Sequence, residues 1–300
     1  MQTAEEKIRG ILRGGAVATR PELARLAGIS PVMAGRIMAR LCRTGEAEEA
    51  GSAPSGGGRP VMRYRAAADY GTLGLFHAYP DTGENHLLRG QLHLLDMRGR
   101  ARGRAREGIF AMLHAESLDD WLDTLTRRGR TVLRGLALCL PAGIPESGLA
   151  AHLAERYGCR VAELSPALAL GMENAREDTL VLHLPRHGVP QGALHRHGHT
   201  TPCGPLQLLP VPADWRTLDY SDNTLVEEMV ARLVMMLCCA QAPRRVVLYA
   251  DFWSEKLTSR IRYNISAKLR EAPALPRLAF RDLPAAQTAQ VLLRGLAVIR

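Results

Sequence analysis

Arginine is the residue whose spacing first invites chemistry. Arg20, Arg25, Arg36, Arg40 and Arg43 fall within the stretch TRPELARLAGISPVMAGRIMARLCR, and Arg59, Arg63 and Arg65 follow soon after. A guanidinium is a rigid fork of donors that matches a phosphate or the O6/N7 edge of guanine. In this stretch apolar residues recur at helical spacing, so one face can pack while the other carries charge. Arg36 and Arg40 stand one turn apart on the outer face, beside Val32, Met33 and Gly35, and either can reach a guanine edge or a phosphate. Ser30 and the amides that follow it can hold a phosphate oxygen at a helix start. Arg20 or Arg25, one helix earlier, can clamp the backbone of the same polyanion. Arg59, Arg63 and Arg65 can lie along a minor groove, with Gly56, Gly57 and Gly58 flexible enough to let Arg59 enter it; a solvated linker is the competing reading of that loop.

Other groupings carry less. His183, His187, His195, His197 and His199 with Cys203 invite a metal reading, because alternate histidines on one strand share a face. Closed zinc sites want more thiolates at short spacing, so structural or surface histidines are the expectation and no metal site is assigned. Glu116, Asp119 and Asp120 stand at a helix start, where the dipole favours carboxylates. Asp81 to Asn85 has the composition of a hairpin turn. The glycine run at 56–58 lacks a following Gly-Lys-Ser/Thr and a helix, so it does not cradle a nucleotide. Neither a catalytic residue nor a cofactor is expected.

Positioning the arginines requires two short helices and a turn. Thr19, with Pro21 and Glu22, has the pattern of a capping box. Leu23, Leu26 and Ala27 form its inner face, and Gly28 supplies a left-handed turn residue. Ser30 caps the second helix, and Ala34, Ile37, Met38 and Leu41 face inward. A first helix over 4–13 precedes this pair. A strand at 46–50, a flexible tip and a strand at 61–65 follow it, completing a winged helix-turn-helix over residues 1–66. From Tyr70 the pattern becomes mixed α/β, with strands near 72–79, 87–96, 135–140, 160–164, 179–184, 192–199, 246–250 and 278–280, and no internal repeat is visible.

Composition bounds the rest. Three hundred residues with 46% apolar and 23% charged content describe a globular chain of roughly two domains. Residues 1–65 hold 11 Lys and Arg against 6 Asp and Glu, whereas the other 235 hold 28 against 24, so basicity is concentrated at the N-terminal end. The six cysteines form no Cys-x-x-Cys pair and mostly sit in apolar runs, as reduced buried thiols do. The longest apolar helix, near 225–242, carries Glu227, Glu228 and Arg232 and is not a membrane span. A cytoplasmic protein without membrane contact is expected.

Laid out in this way, the chain resembles a ROK-family transcriptional regulator. ELARLAGISPVMAGRIMARLCRTGEAEEAG with SGGGRP is similar to that family's helix-turn-helix, wing and tip, although Met33, Ala34 and Gly35 stand where the family often has Thr, Val and Ser. LRGQLHLLDMRGRARGRAR, LRGLALCLPAGI and LAERYGCRVAELSPALALGMENA resemble elements of its sugar-kinase-like half. The resemblance implies α/β architecture: a winged helix-turn-helix followed by an actin-like ATPase domain over 70–300. It places Ser165 at the position of the catalytic-base Asp, and a hydroxyl cannot take a sugar proton as a carboxylate does. Arg196-His197-Gly198-His199 is similar to the family's Glu-Ile-Gly-His, and its cysteine-rich zinc motif is reduced to Cys203-Gly204. The resemblance therefore implies no kinase chemistry. It implies a DNA operator as partner, a homodimer or higher oligomer, repression, and a sugar-like effector near Ser165 and His199. The alternatives are a sugar kinase carrying a winged helix and a protein-interaction module.

Overall fold

A computed structural model describes residues 3–53, 60–80, 87–129, 132–140, 146–174, 178–186, 189–203, 206, 223–268, 276–284 and 287–299. The first elements are α1 (Ala4–Arg13), β1 (Ala18–Thr19), α2 (Arg20–Ala27), α3 (Pro31–Arg43), β2 (Ala47–Ala53) and β3 (Val61–Ala66). Ile8 and Leu12 of α1 pack with Leu23, Ala24 and Ala27 of α2 and with Ala34, Ile37, Met38 and Leu41 of α3. The inner face of α2 therefore differs from the expected one by one position: Ala24 is buried and Leu26 is 53% exposed. Strands β2 and β3 pair antiparallel, and the two-residue β1, absent from the sequence reading, adds to the other side of β3 through Ala18↔Tyr64 and Thr19↔Arg63.

The remainder is one unit built twice. Its first copy is β4 (Thr72–Pro80), β5 (Leu88–Asp96), β6 (Arg106–Phe110), α4 (Ala115–Gly129), β7 (Leu133–Cys139), α5 (Glu146–Tyr157), β8 (Arg160–Glu163) and α6 (Pro166–Glu173). Its second is β9 (Thr179–His183), β10 (Gln191–Arg196), β11 (His199–Pro202), α7 (Asn223–Gln241), β12 (Arg245–Ala250), α8 (Glu255–Lys268), β13 (Arg277–Asp282) and α9 (Thr288–Ile299). The sheets run β6-β5-β4-β7-β8 and β11-β10-β9-β12-β13. In each, the first three strands form an antiparallel meander and the fourth and fifth run parallel to the first. The repetition is one of topology: layer and order recur while side chains do not, so no repeat is visible in the sequence.

Burial on both faces of the inner strands explains their unbroken apolar runs. Leu73, Leu75, Leu95 and Ala137 of the first sheet and Val181 and Val247 of the second face a shared layer made of α6 and α9. On the outer faces, α4 and α5 cover Phe76, Leu92, Leu136 and Leu138, and α7 and α8 cover Leu180, Leu182, Val246 and Leu248. In the shared layer α6 and α9 approach so closely that a Cβ on Gly295 would stand 2.5 Å from the Cβ of Ala169. None of the described helices is long and apolar enough to cross a membrane.

A basic turn after β5 holds the N-terminal elements against this body. Met97 N–H donates to the Ala68 carbonyl at 3.3 Å. Arg98 Nε donates to the Ala66 carbonyl at 3.0 Å, and its Nη2 pairs with Glu48, the carboxylate that Arg65 also engages at 2.8 Å. Arg102 Nη2 donates to the Ala68 carbonyl and to Asp69 Oδ1, both at 2.9 Å. The Arg134 guanidinium lies 4.1 Å from the centroid of the Tyr70 ring.

The α6–α9 contact yields a packing test. Gly295→Ala is expected to lower the urea-unfolding free energy by about 1–3 kcal/mol through overpacking. Ala169→Gly in the same chain should recover part of that loss, a coupling that a double-mutant cycle measures. Additive effects of the two changes would contradict the seam as described.

Candidate nucleic-acid interface

The α2–α3 pair is built from local chemistry. Thr19 Oγ1 accepts from Glu22 N–H, and the Glu22 carboxylate accepts from Thr19 N–H at 2.7 Å, which closes a capping box. These hydrogen bonds, the backbone one foremost, hold the Glu22 carboxyl below the usual range. Gly28 takes φ +66°, where an L side chain is strained, and turns the chain from α2 into α3. Ser30 Oγ accepts from Met33 N–H at 3.2 Å, and Pro31 opens the helix. Burial of Ala34, Ile37, Met38 and Leu41 then fixes which face of α3 is left outside.

That outer face carries Val32, 68% exposed, and Met33, 45% exposed, followed by exposed Arg36, Ala39, Arg40 and Arg43. Arg36 and Arg43 have no hydrogen-bond or ion-pair partner among the described residues. Gly35 is half-buried, and a Cβ there would meet nothing within 4 Å. Arg40 is exposed on this face, as its spacing implies, and forms an ion pair with Glu5 of α1, which also engages Arg9 at 2.6 Å. Arg65 is likewise taken by Glu48.

A second group of cations surrounds the start of α2. Arg20 stacks over the ring of buried Tyr64, 5.2 Å from its centroid. Exposed Arg25 and Arg63 both act on the Glu22 carboxylate through their charge. Arg59 and the glycine run at 56–58 lie outside the described residues, as do His187 and Asp81 to Asn85. Arg43, outward by its spacing as well, is singled out by having no partner among the described residues.

The residues expected around an effector are not brought together. Ser165 caps α6, accepting from Leu168 N–H at 3.1 Å. His199 sits across β10–β11 from Arg196, whose side chain bonds Asp178 and the Gln241 carbonyl at the end of α7. Its neighbour Thr200 instead faces α6, where its Cγ2 lies 2.7 Å from a Cβ built on Gly171. Side chains alternate along a strand, so His199 and the cap of α6 fall on opposite faces of the sheet. The histidine run is also broken. His197 at φ +54° and Gly198 at φ +74° form a turn, and buried His195 turns inward to Thr200 Oγ1 at 2.9 Å. Burial pushes the Cys203 thiol up to about 11. Among the described residues no group of three or more His, Cys, Asp and Glu is placed to hold a metal.

No protein-family model and no curated protein matches the sequence. Solved structures do match. A ROK family transcriptional regulator, described as a homologue of the Escherichia coli MLC protein, aligns over 99% of this chain and 97% of its own with a TM-score of 0.61 at 11% identity. The chain has the fold of a ROK-family transcriptional regulator. A ROK hexokinase from Thermus thermophilus (TM-score 0.49, 16% identity) and a ROK family glucokinase from Streptomyces griseus (0.49, 9%) each cover 75% of this chain, with 97% and 98% of their own lengths aligned.

Within this ROK-type fold a set of histidines escaped the sequence reading because three strands supply it. His77 on β4, His93 on β5 and His183 on β9 share the strand faces of Leu75, Leu95 and Val181, toward the layer between the sheets. One ring nitrogen of each is buried without a hydrogen-bond partner among the described residues. Burial pushes His77 and His183 down to about 4, with the charges of His93 and His183 adding to the effect on His77. Burial lowers His93 as well. Between pH 6.5 and 4 the unfolded chain therefore binds more protons than the folded one, and stability falls as pH falls through that window. From pH 6.5 to 5 the expected loss is about 2 kcal/mol for each of His77 and His183. Urea unfolding at the two pH values measures it, and a His77→Leu, His183→Leu chain with the same slope as the parent would refute the assignment.

Proposed function

We propose that the chain is a DNA-binding transcriptional regulator, acting as a repressor, with residues 1–66 as a winged helix-turn-helix and residues 70–300 as a sugar-kinase-like body without kinase activity. The observation that carries this reading is the outer face of α3. A helix whose inner face is packed and whose ends are capped presents Arg36 and Arg43 with no partner among the described residues, beside two exposed apolar side chains. Burying such guanidiniums against phosphate or guanine satisfies them, and the concentration of positive charge in residues 1–65 favours a polyanion.

In this reading α3 enters the major groove, Ser30 and the first amides of α3 hold a phosphate, and Arg20 and Arg25 brace the backbone. Arg63 follows the minor groove as part of the wing. One such unit makes few contacts, so the protein acts as a homodimer or higher oligomer on paired half-sites. The body supplies that assembly, and its contacts through Arg98 and Arg102 carry the state of a bound small molecule to the DNA-binding unit. Ser165, engaged as a helix cap, offers no carboxylate to activate a sugar hydroxyl.

Gel-shift titration of the intact protein on the DNA upstream of its own gene, across a salt series, tests the reading. Arg36→Ala is expected to weaken binding by about 1–3 kcal/mol, and Arg25→Ala to reduce the slope of log K against log salt by about 1. The absence of any shift at low salt, or unchanged binding in both variants, would refute it.

A further inference from the structure

The outer face of α3 has an order as well as a charge. With 100° between successive residues, the buried positions 34, 37, 38 and 41 centre on one side. Val32, Arg36 and Arg43 fall almost directly opposite, and Met33 lies on the flank nearest Arg36. Val32 and Arg36 are separated by about 6 Å along the axis, and Val32 and Arg43 by about 16 Å, close to five base-pair steps. The apolar pair thus stands at the N-terminal end of α3, the end that meets base edges when such a helix lies in the major groove. Val32 and Met33 are both exposed large apolar side chains, and no described element of the protein covers them.

We infer that Val32 and Met33 read thymine, through its C5-methyl group, and that Arg36 alone reads the adjacent guanine. This inference rests on α3 being the DNA-reading helix and adds to it what that helix reads. In the major groove an aliphatic side chain has one specific partner, the methyl that thymine carries and cytosine, adenine and guanine lack. Arg40 stands one turn further along and toward the flank, with Glu5 beside it, so Arg36 is the guanidinium nearest the apolar pair. Arg43, at the far end of the helix, lies over the backbone and contributes affinity without sequence preference. Gly35 adds no side chain between the helix and the groove, and a Cβ there would meet nothing of the protein. The half-site therefore holds neighbouring thymines followed by a single guanine.

The experiment uses the full-length protein and a random duplex pool. Sequences retained after rounds of binding are read out, and the recovered half-site is resynthesised with uracil in place of each thymine, which removes only the methyl group. The expected result is a motif of adjacent thymines beside one guanine, with about a fourfold loss of affinity for each methyl removed. Val32→Ala and Met33→Ala should each bind the thymine duplex correspondingly more weakly, and the double variant should no longer distinguish uracil from thymine. Arg36→Ala should relax preference at the guanine only. Both apolar residues are exposed, so unchanged thermal unfolding serves as the folding control. A motif whose affinity is indifferent to uracil, or variants that retain the full discrimination, overturns this inference and leaves the DNA-binding reading standing. A pool from which no sequence is retained overturns both.

Discussion

Two helices that end different halves of the chain share one layer, and the rest of the body is stacked outward from their contact. Gly295 of α9 meets Ala169 of α6 with no room for a further carbon, which lets the axes approach and brings each half-sheet onto the same pair of helices. Leu73, Leu75 and Ala137 from one sheet and Val181 and Val247 from the other join that pair in one buried cluster, so two separate sheets share a common floor. His77, His93 and His183 face the same layer from β4, β5 and β9.

The N-terminal unit is joined to this body by polar contacts. Arg98 reaches across to Glu48 and the Ala66 carbonyl, and Arg102 to Ala68 and Asp69, so the turn after β5 supplies much of the junction, with Arg134 over the Tyr70 ring and a contact of α1 with α9 beside it. The buried cluster around Ile8, Leu23, Met38 and Tyr64 draws all its members from residues 8–66, which is why that unit can present α3 as a preformed surface. Junctions of this kind fix orientation weakly relative to a hydrophobic core.

Much of this was legible in the residues because it is local. The Thr19–Glu22 box, the left-handed Gly28 and the Ser30 cap depend on neighbours three residues away, and all three stand as the pattern implied. The inner face of α3 followed equally from its spacing. What escaped depends on distant partners. Arg40 looks free in sequence because Glu5 lies on another helix, and Arg65 because Glu48 lies on the opposing strand. Leu26 is the more apolar residue, yet the packing angle of α2 buries the smaller Ala24. His195, His197 and His199 read as one strand, and only the backbone turn at His197-Gly198 separates them. The duplicated topology left no trace because each copy fills its layers with different side chains. The place of Ser165 and His199 on opposite faces is a matter of strand parity that the resemblance could not resolve.

The position of α9 has a consequence for the chain during synthesis. Its residues, Thr288–Ile299, pack on α6 and approach β4, the strand that opens the body about 200 residues earlier. Until α9 has been made, Leu73, Leu75 and Ala137 lack their cover, and the first half-sheet is a nascent structure with one apolar face open to water. The N-terminal unit, whose buried cluster is drawn from residues 8–66, is complete long before that. A ribosome carrying this chain therefore displays a finished basic module tethered to an unfinished body, and α9 closes both halves at once when it emerges.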